Sequence, residues 1–245
     1  MITGGSSGIG AATARRLAAD GWRCILLARG RERLNAVAEQ IGAEAEICDV
    51  TDRPALEEAA RRIGRRHPAV HLLVANAGIP GRQGFLELPP ERIEEIVRVN
   101  YLGSVWAVRT FVPLLRAGAP SDVVVVASVA GVFAHGASGP YSAAKHAQLA
   151  FARSVTAELA PLGIRVHAVK PGPVETPGFP QRRLRERALT RRFVTSSERV
   201  AEAIVGCVGR RRPEVFVGRA YGLLGAVQGL APGTLSRLAE RRRSS

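Results

Sequence analysis

The sequence predicts an α/β protein built on a doubly wound parallel sheet, and three observations predict it. Apolar segments of strand length alternate with segments of helical pattern along the 245 residues. The strand segments are apolar almost throughout, as in parallel strands that helices cover on both faces. No linker, internal repeat or low-complexity stretch divides the chain, so residues 1–245 are predicted to form a single domain.

The predicted elements alternate along the chain. The predicted strands are Trp22–Ala28, Ala43–Cys48, Val70–Asn76, Asp122–Ala127 and Gly163–Val169, with a final strand at Glu214–Gly218. The predicted helices are Ala11–Asp20, Arg31–Ile41, Pro54–Arg66, Glu91–Leu115 and Tyr141–Leu162. In such a fold, ligands bind beyond the carboxyl ends of the strands, where the strand order reverses.

Polar side chains stand at four of these strand ends. Arg29 and Asp49 follow the first two strands, Asn76 ends the third, and Ser128 follows the fourth. Two of them have a purely structural alternative: Asp49 as the cap of the next helix, and Ser128 as a helix or turn cap. Their common position at the binding edge of the sheet nevertheless predicts an active site there.

A glycine-rich run precedes the first helix. Residues 3–10 read Thr-Gly-Gly-Ser-Ser-Gly-Ile-Gly. Glycines let the backbone approach a pyrophosphate closely, and the amino end of the following helix offers N–H groups and a positive dipole. An ordinary surface loop is the alternative for this run taken alone.

The segment most informative about chemistry is Tyr-Ser-Ala-Ala-Lys at 141–145, with Ser128 thirteen residues earlier. Tyr141 and Lys145 are four residues apart on a predicted helix and therefore share one face. A nearby ammonium favours the ionised phenol and lowers its pKa. Such a phenol can donate a proton to a carbonyl oxygen or accept one from an alcohol.

Together, these two motifs resemble those of the short-chain dehydrogenase/reductase family, and the resemblance extends over nearly the whole chain. It implies a Rossmann-type fold and an oxidoreductase that transfers a hydride between NAD(P)(H) and a carbonyl or secondary alcohol. Small-molecule substrates and a homodimer or homotetramer are also implied.

The resemblance assigns the catalytic group to Asn100, Ser128, Tyr141 and Lys145. Tyr141 would be the general acid/base, Lys145 would lower its pKa and bind the nicotinamide ribose, and Ser128 would hold the substrate oxygen. Asn100, in Asn-Tyr-Leu-Gly, would hold a water that links Lys145 to solvent. From the residue itself, a polar amide in this apolar helix is expected to distort the helix or hold a water, or else to be simply exposed.

The resemblance also supplies the cofactor site. With Arg29 and no acid at the end of its strand, the chain is predicted to prefer NADP(H) through the 2′-phosphate, NAD(H) being less favoured; a plain surface arginine is the alternative. Ala75 replaces the first Asn of the family's Asn-Asn-Ala-Gly motif, and Asn76 matches the cofactor-lining residue. The predicted cofactor-binding residues are Gly4, Ser6, Ser7, Gly8, Ile9, Gly10, Arg29, Asp49, Val50, Asn76, Ala77, Gly78, Tyr141, Lys145, Pro171, Gly172, Val174 and Thr176.

The first strand of this fold is expected to run about six residues. Only Met1 and Ile2 precede the glycine-rich run. We therefore expect a truncated first strand, and a natural start upstream of Met1 is a hypothesis that an intact mass would test.

Composition limits the other function classes. The net charge is +14, almost all from arginine, but the arginines are scattered and aromatics make up only 5% of the chain, so solvated surface is favoured over a specific nucleic-acid site. The cysteines are three in number and sit in apolar segments, which predicts packed thiols and a cytoplasmic protein. No metal site is predicted, because the histidines lie in unrelated segments: His67, His71, His135, His146 and His167.

Substrate specificity is expected in Phe133–Pro140 and in a basic segment at 178–195. That segment is either a lid that attracts an acidic or thioester substrate or a solvated amphipathic helix. The tail at 219–245 is expected to be helical and to pack, either over the substrate pocket or against another subunit; contact with an anionic membrane surface is the alternative. Two rival functions stay open: a 3-oxoacyl-thioester reductase and a catalytically silent NADP-binding regulator.

Overall fold

A computed structural model describes residues 1–81, 83–134, 138–178, 194–218 and 221–222. Within these ranges the strands are β1 Ile2–Thr3, β2 Ile25–Ala28, β3 Glu44–Ile47, β4 Leu72–Ala75, β5 Ser121–Val126, β6 Ile164–Pro171 and β7 Glu214–Val217. All pair in parallel, in the order β3-β2-β1-β4-β5-β6-β7. The predicted doubly wound sheet is therefore confirmed, with the order reversing beside β1.

Helices lie on both faces of the sheet. They are α1 Gly8–Ala19, α2 Arg31–Ile41, α3 Arg53–Arg66, α4 Pro90–Val97, α5 Gly103–Ala117, α6 Gly139–Leu159 and α7 Ser197–Val205. Short helical turns of other types occur at Arg98–Leu102 (π), Val129–Gly131 (3₁₀) and Ala160–Leu162 (3₁₀).

Successive residues of the central strands alternate between the two faces. In β4, Leu73 packs with the α3, α5 and α6 side, whereas Val74 packs with the α1, α2 and α7 side. This period of two, with both faces buried, explains why these strands are apolar throughout.

The prediction of one continuous helix over Glu91–Leu115 is wrong. The segment forms two helices, α4 and α5, separated by the π-helical turn at Arg98–Leu102, which contains the buried Asn100. Helix α7 was not predicted, although Ser196 begins it and accepts a hydrogen bond from the Arg199 N–H at 3.3 Å. A serine cap before an amphipathic run is a local signal that could have revealed it.

The first strand is short but central. Ile2 is paired with Leu26 of β2 and with Val74 of β4. Thr3, the last residue of β1, is also the first residue of the glycine-rich run. Of the helices in the described residues, none is long and apolar enough to cross a bilayer.

Candidate active site

Thr3 and Asn76 join the glycine-rich loop to the end of β4. The Thr3 hydroxyl accepts hydrogen bonds from the N–H groups of Asn76 at 3.0 Å and Ala77 at 3.1 Å. In return, the Asn76 side-chain amide donates to the carbonyls of Thr3 at 3.0 Å and Gly4 at 3.3 Å. Asn76 therefore braces the loop, a scaffold function added to its predicted place in the cofactor site.

At two positions of the loop only glycine fits, because a side chain would clash with its neighbours or strain the backbone. A Cβ at Gly10 would lie 2.2 Å from the Gly4 carbonyl oxygen, so only glycine fits where α1 passes beneath the loop. Gly8 has φ +52°, and a Cβ there would lie 3.0 Å from the Thr176 side chain. Ser7, at the N-cap of α1, makes no side-chain capping bond. The loop and the helix amino end thus form a cradle suited to a pyrophosphate, which fits a dinucleotide.

Thr176 belongs to the segment that follows β6, so its contact with Gly8 places that segment over the loop. Val174 forms a parallel bridge with Thr195, and the Thr195 N–H donates to the Pro173 carbonyl at 2.8 Å. Of the predicted residues of this segment, Thr176 is the one that the structure places against the glycine-rich loop, whereas Pro171 pairs with Val217 of β7 and Gly172 lies against Tyr221.

Asn100 is fully buried where the helix is distorted. Its side-chain oxygen accepts from the Ile79 N–H at 3.1 Å, and its amide donates to the carbonyls of Ile79 at 3.1 Å and Ile96 at 3.0 Å. A Cβ at Gly78 would lie 2.7 Å from that side-chain oxygen. The exposed-asparagine alternative is wrong, because the side chain joins the loop after β4 to the π-helical turn.

Tyr141 and Lys145 lie one turn apart near the start of α6, as predicted from their spacing. The Lys145 Nζ is 5.8 Å from the centroid of the Tyr141 ring. It donates to the Val126 carbonyl at 3.0 Å and to Gln148 Oε1 at 2.8 Å. Burial lowers the pKa of Lys145 to about 7. Burial favours the neutral amine, because taking the charge out of water is unfavourable.

Gln148 and Ser104 are residues of this site that sequence reasoning missed. The Gln148 side-chain amide donates to the Ser104 hydroxyl at 2.6 Å, and that hydroxyl donates to the Asn100 carbonyl at 3.2 Å. A glutamine on the buried face of α6, three residues after Lys145, was the only local signal.

Ser128 follows β5 in extended conformation. Its hydroxyl accepts from the Ala130 N–H at 3.1 Å and so caps the 3₁₀ turn at Val129–Gly131. The structural alternative for Ser128 is thus realised. A hydroxyl oxygen that accepts this bond keeps its own hydrogen to donate elsewhere.

Arg29 and Asp49 meet just beyond the carboxyl ends of β2 and β3. The Arg29 Nη1 lies 3.4 Å from Asp49 Oδ2, and the arginine side chain is 56% exposed. The other Asp49 oxygen accepts from the Thr51 N–H and hydroxyl, both at 2.8 Å. Asp49 is not the helix cap, since Asp52 caps α3 by accepting from the Ala55 N–H.

Lys170 and His167 take structural positions. Lys170 is buried against Glu214, with its Nζ 3.7 Å from the centroid of the Phe216 ring. His167 pairs with the buried Asp122 at 2.8 Å. Over the described ranges, no cluster of three or more His, Cys, Asp or Glu side chains could bind a metal. The three cysteines are buried free thiols.

Comparison with known proteins then decides the family. The family model described as short chain dehydrogenase matches residues 1–187. The chain belongs to the short-chain dehydrogenase/reductase family. It is accordingly an NAD(P)-dependent oxidoreductase that acts on CH–OH and C=O groups of small molecules.

Relatives of this short-chain dehydrogenase/reductase cover most of its length. It is 32% identical over 224 residues to 1-deoxy-11-beta-hydroxypentalenate dehydrogenase of Streptomyces avermitilis, which covers 88% of this chain and 83% of the relative. It is 30% identical over 176 residues to the 3-oxoacyl-acyl-carrier-protein reductase MabA of Mycobacterium avium, covering 72% and 67%. Among solved structures, actinorhodin polyketide ketoreductase with NADPH superposes with a TM-score of 0.80 at 30% identity, covering 90% and 96%.

Parts of the predicted substrate site lie outside the described residues. These are His135 to Ala137, nearly all of the basic segment at 178–195, and the tail at 219–245 apart from Tyr221 and Gly222. The described residues of this short-chain dehydrogenase/reductase therefore comprise the predicted cofactor-binding side and the four predicted catalytic positions.

Proposed function

We propose that this protein interconverts a carbonyl and a secondary alcohol with NADP(H), using Tyr141 as the general acid/base. The observation that carries this function is the pairing of Tyr141 with the buried Lys145, at the same sheet edge as the glycine-rich cradle. The nicotinamide, when bound, supplies or accepts the hydride, and the protein supplies position and the proton.

The four proposed catalytic residues have separate tasks in this scheme. Tyr141 donates its phenolic proton to the carbonyl oxygen in reduction and accepts the alcohol proton in oxidation. Lys145 in its ammonium form favours the ionised phenol and would bind the ribose. Ser128 orients the substrate oxygen through its hydroxyl hydrogen. Asn100 fixes the loop after β4 by joining Ile79 to the π-helical turn.

The cofactor preference is assigned to Arg29. Its exposed guanidinium, weakly paired to Asp49 at 3.4 Å, is available to bind a 2′-phosphate. A hydrogen-bonded charge pair of this kind corresponds to an affinity difference of about 10- to 100-fold.

Replacing Arg29 with alanine is therefore expected to weaken NADPH binding by about 10- to 100-fold and to leave NADH binding almost unchanged. Titration calorimetry with both cofactors measures this. Arg65→Ala is the matched control. It removes an exposed arginine elsewhere, on α3, and should change neither affinity. Equal affinities of Arg29→Ala and the unaltered protein for NADPH would contradict the assignment.

A 3-oxoacyl-thioester reductase is the second candidate. It is favoured by the relatives, since one is a 3-oxoacyl-carrier-protein reductase and another a polyketide ketoreductase. The arginine-rich segment at 178–195, proposed as a substrate lid, supplies positive charge for an acidic carrier. Reversing two of its charges and measuring how salt changes the KM would separate a lid from a solvated helix.

A panel of ketones, aldehydes, secondary alcohols and 3-oxoacyl thioesters tests the function, with the absorbance of the reduced nicotinamide as the readout. Turnover of simple carbonyls supports the first candidate, and turnover confined to thioesters supports the second. Cofactor binding without turnover across the panel would overturn both and favour a regulatory protein. We further propose the homodimer or homotetramer common in this family, which sedimentation of the purified protein would test.

A further inference from the structure

Two buried polar side chains behind Lys145 are not explained by cofactor binding or by proton transfer at Tyr141. Gln148 is 0% exposed and Ser104 is 3% exposed. Their neighbours on the buried face of α6 are apolar, among them Leu149 and Ala152. Burying an amide in such surroundings is unfavourable unless its hydrogen bonds are satisfied. Their presence therefore requires specific partners.

The chemistry of these groups determines the direction of every hydrogen bond between them. The Lys145 Nζ donates to the Gln148 side-chain oxygen at 2.8 Å, an arrangement that suits an ammonium because an ammonium only donates. The Gln148 nitrogen then faces the Ser104 hydroxyl oxygen at 2.6 Å and donates to it. That hydroxyl directs its own hydrogen to the Asn100 carbonyl at 3.2 Å. The chain therefore leads from α6 to the π-helical turn at Arg98–Leu102.

We propose that Gln148 is a positioning residue that, through Ser104, holds the Lys145 ammonium beside Tyr141. This inference rests on the proposed function of Lys145. Within the described part of the chain, two of the three ammonium hydrogens are directed to the Val126 carbonyl and Gln148 Oε1, and the third would bind the cofactor ribose. Without Gln148, the flexible four-carbon side chain would have one anchor in place of two.

The anchor also stabilises the charged form of the amine. Lys145 is buried, and burial favours the neutral amine. The groups that face it from β5 and from α6 are the Val126 carbonyl and the Gln148 amide, with the Ser104 hydroxyl of α5 behind, and all are uncharged. Tyr141 is the ionisable group placed beside it. The two acceptor oxygens therefore oppose the effect of burial and keep an ammonium available to Tyr141.

The test uses the low lysine content of the chain, which has only Lys145 and Lys170. Protein labelled with ¹³C at lysine Cε gives two side-chain signals, which a Lys170→Arg variant assigns. Their chemical shifts are followed against pH in the cofactor-free protein. Gln148→Met keeps the length of the side chain but removes the acceptor, so the titration midpoint of Lys145 is expected to fall by about one pH unit.

A second variant and two controls make this result specific. Ser104→Ala removes only the second link, so it should move the Lys145 midpoint in the same direction by roughly half as much; it also replaces Gln148→Met if that variant does not fold. Ser121→Ala removes another buried serine, which donates to the Leu115 carbonyl at 2.8 Å, and should not move the midpoint. The Lys170 signal, from a lysine paired with Glu214, should stay unchanged in each variant.

A folded Gln148→Met or Ser104→Ala variant in which the Lys145 midpoint is unchanged overturns the proposal. So does a midpoint that moves together with that of Lys170, because that reports a general loosening of the fold. Since the readout needs neither cofactor nor substrate, the anchor would stand even if the carbonyl panel showed no turnover. Where the protein is active, Gln148→Met should move the rise of alcohol oxidation with pH to a higher pH, because less ammonium is then available to ionise Tyr141. At a pH below the new midpoint, the kcat of the variant should be lower than that of the unaltered protein.

Discussion

Tyr141→Phe is expected to lower kcat by about 10²- to 10⁴-fold, the contribution typical of a general acid or base, and to leave NADPH binding within about twofold. The substitution removes only the hydroxyl group. The Tyr141 ring packs against a small apolar cluster of Leu88, Ile96 and Ala144, and phenylalanine keeps those contacts. The loss should therefore appear in kcat, with little change in the free energy of unfolding.

Tyr101→Phe is the matched control for this prediction. It removes the same atom from a partly buried tyrosine in the π-helical turn, outside the proposed catalytic group. Steady-state kinetics and equilibrium cofactor binding are measured on both variants. Full activity of Tyr141→Phe, or an equal loss in Tyr101→Phe, would refute the acid/base assignment.

The second large effect is expected far from the cleft, at Asp122. This carboxylate is 2% exposed and pairs with Arg165 through two contacts of 2.8 Å and with His167 at 2.8 Å. It also accepts from the Gly209 N–H at 3.1 Å. Removing one member of a buried charged network leaves the others unpaired, so Asp122→Asn should lower the free energy of unfolding by about 3 kcal/mol.

The pH dependence of this loss has a definite sign. Burial by itself raises the pKa of Asp122, but the hydrogen bonds from His167, Arg165 and the Gly209 N–H outweigh it and lower the pKa from 3.8 to about 2. A carboxyl whose pKa is lower in the folded state stabilises the fold above its unfolded value and loses that contribution as the pH falls through the folded value. The stability difference between the unaltered protein and Asp122→Asn should thus be full above pH 4 and shrink towards pH 2.

Urea denaturation at several pH values measures this difference. Glu58→Gln, which removes an exposed ion pair with Arg61 on α3, serves as control and should leave the urea midpoint almost unchanged. A difference for Asp122→Asn that stays constant between pH 5 and pH 2 would show that its carboxylate does not provide the stabilisation. Turnover at neutral pH should be retained by the folded variant, because Asp122 lies at the start of β5, opposite the end that leads to Ser128.

Features carried by local spacing were predictable. The bounds of α2, Arg31–Ile41, were predicted without error, because its apolar period is regular and Gly42 ends it in the left-handed conformation with φ +64°. The Tyr141–Lys145 geometry followed from the pitch of a helix alone. The parallel, doubly wound sheet followed from apolar strands alternating with helices.

Other features depend on residues that only the fold brings together. The interruption at Arg98–Leu102 accompanies the bonding of Asn100 to Ile79, twenty-one residues away, which no helical period reports. The helix cap considered at Asp49 is instead provided by Asp52, while Asp49 accepts hydrogen bonds from Thr51.

The sequence by itself determined the parallel sheet and the placing of Tyr141 and Lys145 on one helix face, since the first rests on strand composition and the second on contacts within one turn. Tertiary structure alone decided how that amine is anchored. Ser104 and Gln148 are forty-four residues apart and meet only because α5 and α6 pack together on one face of the sheet. A hydrogen bond across two helices depends on their packing, which no local pattern in either helix encodes.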